Sequence, residues 1–258
     1  MKILLTNDDA WDAEGLAVLR QAVKELELGE IWTVAPLHPM SGISHRITFE
    51  QPLTLQQTDE FSYSLDGTPA DCVRVACSQL KQEFDWVLSG INNGANLGTD
   101  IYLSGTVAAA REAAFHGIRS IALSQHRCRF NADFDWTASL WMARYALKRL
   151  LMDEYQDSAD WENVSAINVN FPDQYHRRDA TDNSVTCQEL APADKARFIE
   201  SLSIVVCPAD KQPLPSDFRI DDQGRLIYCG KYYLRARTPG CDIEACFGGA
   251  ITISRLMF

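Results

Sequence analysis

Two adjacent carboxylates stand at the end of the first apolar run: Lys2-Ile3-Leu4-Leu5 leads into Thr6-Asn7-Asp8-Asp9. Acids side by side repel unless a positive charge lies between or beside them. A hard divalent cation suits carboxylate oxygen well, whereas the same two side chains could also cap a helix or close a turn. A second polar segment, Pro39-Met40-Ser41-Gly42, lies after another apolar run. A third is longer and rich in Gly and Asn, Ser89-Gly90-Ile91-Asn92-Asn93-Gly94-Ala95-Asn96-Leu97-Gly98, and runs on to Tyr102-Leu103-Ser104-Gly105-Thr106. Glycine lets backbone approach a ligand closely, and an Asn side chain offers a carbonyl oxygen to a metal and an amide to a phosphate. A polar loop of this length is more often functional than not. Ser104-Gly105-Thr106 opens an Ala-rich helical stretch, where free N–H groups can bind an anion or be capped by Ser104 or Thr106; the two uses share one geometry.

These segments need elements to position them. Leu16, Leu19, Val23 and Leu26 recur at helical spacing within Ala13–Leu28, so the acid pair sits between a strand and a helix. Ile31–Ala35 reads as the second strand, and Thr48–Leu65 as a pair of strands. Thr68-Pro69-Ala70-Asp71 reads as a helix start, with Thr68 as N-cap and Pro69 in the first turn. Trp86–Ser89 is a strand, Thr106–His116 a helix, Ile118–Ser124 a strand, Phe134–Met152 a long helix and Val164–Val169 a strand. This alternation predicts an α/β fold, a Rossmann-like, doubly wound, mainly parallel sheet, with all three polar loops on one edge. After about residue 178 the pattern breaks into short strand-like runs, Ser203–Val206, Leu226–Tyr228 and Tyr232–Arg235, with Ala250–Ile253 as a last strand. One domain over 1–258 is expected: a core of about 1–175, an antiparallel hairpin extension or arm at about 180–245, and a final strand returning to the core.

A net charge of −11 argues against a nucleic-acid binder but not against an anionic small substrate. No apolar run reaches membrane-span length, and no basic region or cleavage pattern precedes the first strand, so a cytoplasmic location is expected. The eight cysteines are scattered, with no Cys-x-x-Cys pair, and are expected reduced. Trp136, Trp141 and Tyr145 suit core packing, His116 suits a helix C-terminus, and Asp221-Asp222-Gln223-Gly224 reads as a hairpin turn. His38 and His45 flank Ser41 and could reach substrate, though a solvated role is the simpler reading. Arg235 and Arg237 could meet a neighbouring subunit or a base.

Taken together, Thr6–Asp9, Ser41-Gly42, Gly67–Cys72, Ser89–Gly98 and Tyr102–Ala110 resemble, in order and spacing, the motifs of the SurE family, the survival-protein nucleotidases. The resemblance covers residues 1–125 well and returns weakly near Asn168–Pro172 and Gly240–Ile253. It implies a metal-dependent hydrolase of nucleoside 5′-monophosphates, with 3′-monophosphates and short polyphosphate as further substrates. A phosphatase of non-nucleotide esters and a nucleotide-binding regulatory module without turnover are the alternatives. It also implies one Mg²⁺ or Mn²⁺ per subunit held by Asp8, Asp9, Ser41 and Asn92, and a phosphate held by Asn96, Ser104, Gly105 and Thr106. Asp8 and Asp9 would be catalytic, with Asp8 favoured as base or nucleophile. Partners would be a nucleoside monophosphate and further copies of the chain as a homodimer or homotetramer, with no nucleic-acid polymer and no membrane. Two departures stand out: Ala10 replaces the family's Gly after the acids, and the long tail helix exchanged between subunits is missing.

Overall fold

Strand β1 (Lys2–Thr6) lies at the middle of a nine-stranded sheet and pairs in parallel with β2 (Glu30–Pro36) on one side and β5 (Trp86–Asn92) on the other. The computed structural model describes residues 1–127, 134, 136–153, 164–173 and 191–258; Cys128, Cys187 and the first part of the expected arm lie outside them. The sheet continues outward from β2 through β4 (Ser62–Leu65) to β3 (Leu55–Asp59). On the other flank β5 leads to β6 (Arg119–Gln125), β7 (Ala166–Phe171), β11 (Ile251–Leu256) and β8 (Ile204–Val206). The six strands from β4 to β7 run parallel, while β3 pairs antiparallel with β4 and β11 antiparallel with β7 but parallel with β8, giving the expected doubly wound sheet with antiparallel additions. A separate hairpin, β9 (Phe218–Ile220) and β10 (Leu226–Tyr228), turns through Asp221–Gly224 as the sequence predicts.

The two-residue period of β1 builds two cores at once. Ile3 and Leu5 face α1 (Glu14–Glu25) and α4 (Trp136–Lys148), where Leu19, Val23, Met142 and Leu147 pack with Phe171. Leu4 faces α2 (Pro69–Gln79) and α3 (Gly105–Phe115), against Val73, Ala76, Ala109 and Ala113. Trp136, Trp141 and Tyr145 pack on the first of these cores, as expected. Helix α2 starts on a reciprocal cap: Thr68 Oγ1 accepts from the Asp71 N–H (3.2 Å) and Asp71 Oδ2 accepts from the Thr68 N–H (3.0 Å). The described cysteines are unbridged. Among the described residues no helix is long and apolar enough to cross a membrane.

The sequence reading misses in the C-terminal third. Tyr232–Leu234 is a 3₁₀ turn, not a strand. A strand would send residues 232 and 235 to opposite faces, whereas here both side chains reach Asp100, with Tyr232 OH at 2.7 Å and Arg235 Nη1 at 2.6 Å. Helices α5 (Pro192–Glu200) and α6 (Asp242–Phe247) also escape the reading, being too short for a periodic signal. The pair of strands expected over Thr48–Leu65 begins only at Leu55.

Candidate active site

The sheet order places β1 between β2 and β5, so the loops that follow these three strands adjoin at the carboxyl edge, the position at which open α/β sheets bind ligands. The first loop is tightly wired. Asn7 Nδ2 donates to the Ala10 carbonyl (2.7 Å), and the Trp11 N–H donates to the Pro36 carbonyl (2.9 Å). Ala10 adopts φ 91°, the left-handed region that explains why glycine suits this position. The Met40 N–H donates to the Asp8 carbonyl (2.7 Å), bringing the second loop to the first immediately before Ser41. Ser41 itself is exposed. The Ser44 hydroxyl donates to the Tyr102 carbonyl (2.6 Å), and His45 bonds to the buried Glu112 of α3 (2.8 Å), so the second loop is also fastened to the third. His45 is therefore an anchor of that loop, while His38 lies exposed.

The two acids face the end of α3 and the start of the third loop. Thr106 Oγ1 donates to Asp8 Oδ1 (2.5 Å), and the Thr106 main-chain N–H also stabilises that carboxylate. Gly105 makes the approach possible, because a Cβ there would stand 2.9 Å from Asp8 Oδ2. The Asn93 N–H donates to Asp9 Oδ2 (2.9 Å). Next to it, Asn92 Nδ2 donates to the Gly94 carbonyl (2.8 Å), and its carbonyl oxygen takes no hydrogen bond among the described residues. Ser104 Oγ accepts from the Val107 N–H (3.1 Å), so its side chain caps α3. Asn96 is buried; its Nδ2 donates to Ser124 Oγ (2.7 Å), and its main chain is clamped by Asn168 and Asn170 of β7. The structure thus gathers Asp8, Asp9, Gly105 and Thr106 around one point, with the main chain beside Ser41 and Asn92 at its rim. The side chains of Ser104 and Asn96 are engaged in holding the loops. Asn168 and Asn170 are the positioning residues that the sequence reading did not single out; two Asn one pleat apart in an apolar strand were the available signal.

Electrostatics sets this cluster apart. Burial, then the charge of Asp9, pushes the Asp8 carboxyl up from its ordinary 3.8 to about 7, despite the bonds from Thr106. Burial also raises Asp9, partly offset by the Asn93 N–H. Among the described residues no Lys, Arg or His forms an ion pair with either acid. A buried and a half-buried carboxylate, hard oxygen donors only and no ion-pairing cation among the described residues make a donor set that fits a divalent cation of the Mg²⁺ or Mn²⁺ kind. Nowhere among the described residues do three or more His, Cys, Asp or Glu cluster as a richer metal site.

The family model described as Survival protein SurE matches residues 3–194. The chain belongs to the SurE family. A relative from Nostoc sp. is 40% identical over 258 residues, covering 99% of each chain. The 5′-nucleotidase SurE of Rhodospirillum rubrum is 35% identical over 99% of this chain and 89% of its own. The 5′-nucleotidase SurE 1 of Burkholderia lata is 41% identical over 66% and 64% of the two chains. The crystal structure of the SurE protein from Aquifex aeolicus covers 100% of this chain and 93% of its own with a TM-score of 0.76 at 29% identity. The SurE match spans all three edge loops and both Asn clamps on β7.

Proposed function

We propose that this chain is a 5′-nucleotidase, a metal-dependent phosphomonoesterase that releases phosphate from nucleoside 5′-monophosphates, with 3′-monophosphates and short polyphosphate as lesser substrates. The observation that carries the reading is the Asp8–Asp9 pair, Asp8 buried and neither acid ion-paired among the described residues, set against the N-terminus of α3. Asp8, Asp9, Ser41 and Asn92 would hold one Mg²⁺ or Mn²⁺, which when bound supplies the positive charge the acids lack and polarises a phosphoryl oxygen. Thr106 orients the Asp8 carboxylate through Oδ1, leaving Oδ2 to take the proton of the attacking water. The backbone N–H groups at Gly105 and Thr106 lie where charge builds on the phosphoryl oxygens. Asn96 and Ser104 serve by keeping the third loop in register with α3.

The family's named 5′-nucleotidases support the substrate class. The whole chain is read as one domain acting in the cytoplasm. The hairpin β9–β10 leaves Phe218, Ile220, Leu226 and Tyr228 exposed, which suits a contact between copies in a dimer or tetramer. The test is phosphate release from a panel of nucleoside monophosphates with Mg²⁺, with Mn²⁺ and with chelator, beside an Asp9→Ala control. Turnover that needs both metal and Asp9 is expected. Nucleotide binding with no phosphate release under either metal would replace the enzyme by a regulatory module.

A further inference from the structure

On the α1 side of the sheet, away from the α3 end of the active site, a groove of about 300 Å³ opens between α1 and the β3–β4 hairpin. At its base Arg20 Nη2 donates to Thr33 Oγ1 (2.5 Å) and Ser62 Oγ (2.8 Å), two hydroxyls that are themselves buried. Among the described residues no carboxylate lies within ion-pair distance of this guanidinium, and its Nε and Nη1 make no hydrogen bond. Burial works against its charge, which Asp59 supports only from a distance. An arginine on the exposed flank of a helix normally extends into water; this one is drawn down onto the sheet by neutral partners, leaving one edge of its fork to face a ligand. Trp11 stands beside the groove at 42% exposure and supplies its aromatic wall, whereas the Tyr63 ring packs on Trp32 on the opposite face of the sheet. Asp12 and Asp59 complete the lining.

We propose that this groove is a second ligand site, built for a small zwitterion of the aromatic amino-acid class. The carboxylate pairs with the free edge of Arg20, the ring lies against Trp11, and the ammonium meets Asp12 or Asp59. The two acids exclude phosphate dianions, so the site is no second copy of a nucleotide pocket. This inference uses no part of the phosphatase reading, since binding is followed without turnover.

The test titrates L-phenylalanine, 3-phenylpropionate (no ammonium) and phenethylamine (no carboxylate) into the full chain, followed by calorimetry and ligand-detected NMR. Phenylalanine is expected to saturate one site, phenylpropionate to bind more weakly, and phenethylamine to bind weakest. Arg20→Gln should weaken phenylalanine by about tenfold or more, the scale of losing a charge-assisted pair. Arg20→Lys, which keeps the charge and loses the fork, and Trp11→Ala, an exposed change that spares the fold, should each weaken it as well. Asp8→Asn should leave binding unchanged. Absence of saturable binding, wild-type affinity in the Arg20 variants, or loss of binding in Asp8→Asn would overturn the proposal.

Discussion

Asp8 and Asp100 are both buried carboxylates beside the same α3 helix, yet the chain treats them in opposite ways. Asp100 Oδ2 accepts from Arg235 Nη1 (2.6 Å) and from Tyr232 OH (2.7 Å), and Arg235 lies over the Tyr232 ring at 4.8 Å. Around it, Asp242 accepts from the main-chain N–H groups of Gly98 and Asp210 (both 2.8 Å), and Asp210 accepts from Thr238. Asp100, Asp210 and Asp242 thus each take partners from inside the chain, although Asp100 Oδ1 accepts no hydrogen bond among the described residues. Asp8 has one hydroxyl, the main-chain N–H groups of Thr106 and of Asp8 itself, and a second acid for company. A buried charge left uncompensated costs stability, so it persists where a ligand will complete it; a buried charge held by an opposite charge of the same chain is the mark of a clamp. The C-terminal layer clamps the third loop, and the third loop positions Asp9 and Asn92.

The sharpest way to break the comparison is to remove one acid from each region. Asp9→Ala is expected to lower kcat by at least about 10²-fold, with the melting temperature in chelator unchanged or raised, because a buried like-charge repulsion is relieved. Arg235→Met is expected to do the reverse in kind. It strands Asp100 and should cost about 3–5 kcal/mol of unfolding free energy in a urea titration, with activity falling only as the loop loosens. Adding Asp100→Leu to Arg235→Met should return most of that loss, since the damage comes from the orphaned charge. If Arg235→Met melted like wild type while Asp9→Ala unfolded, the assignment of clamp and site would have to be exchanged.

Acid titration sharpens the contrast from the clamp side. His126 stacks on Phe247 at 4.5 Å between centroids, and Arg237 covers the same ring at 4.7 Å. Burial, helped by Arg237 and Arg235 and opposed by Asp173, holds His126 down from its ordinary 6.5 to about 4. Between those values the unfolded chain binds a proton that the folded chain does not. The contribution is therefore complete above about pH 6.5 and is lost as pH falls towards 4, reaching about 2 kcal/mol by pH 5. Urea unfolding at pH 7.5 and pH 5 measures it. His126→Phe should remove about that much of the difference between the two pH values, and an unchanged difference would mean that His126 titrates freely in the folded state.

Much of this was legible in the residues; besides helices too short to show a period, the part that was not lies in contacts between residues far apart in the chain. The local devices were visible: the period-two run Ile3-Leu4-Leu5 that serves two cores, the Thr68–Asp71 cap, the Asp221–Gly224 turn and the acid pair at a strand end. Each is decided within a few positions. The clamps are decided by single residues far apart in the chain, Asp100 with Tyr232 across 132 positions and Gly98 with Asp242 across 144, and no periodicity announces such a pairing. Ser104 is a different case: the Val107 N–H at 3.1 Å shows that its hydroxyl caps α3, a use whose geometry also suits a phosphate. Arg20 reads as an ordinary surface arginine until Thr33 and Ser62, from two other strands, are seen to hold it down.

The smallest expected effect lies at Ala10, where the active loop differs most visibly from the pattern it resembles. Its φ of 91° costs a non-glycine residue about 1–2 kcal/mol. Ala10→Gly would relieve that strain. It would also free the unfolded backbone, worth about 0.4–1 kcal/mol, and remove a buried methyl, worth about 0.8 kcal/mol. These terms nearly cancel, so Ala10→Gly should change unfolding free energy by less than about 1 kcal/mol and leave kcat intact. Ala10→Val, with a branched Cβ in the same backbone region, should cost more than either term alone. The reason Ala is tolerated is in the bonds around it: Asn7 grips the Ala10 carbonyl and Pro36 grips the next N–H, so the turn is imposed from outside the residue. Asn7→Ala should then transfer the strain to the loop and lower activity in the Ala10 protein more than in the Ala10→Gly protein. Equal losses in the two backgrounds would mean that the turn holds without that grip.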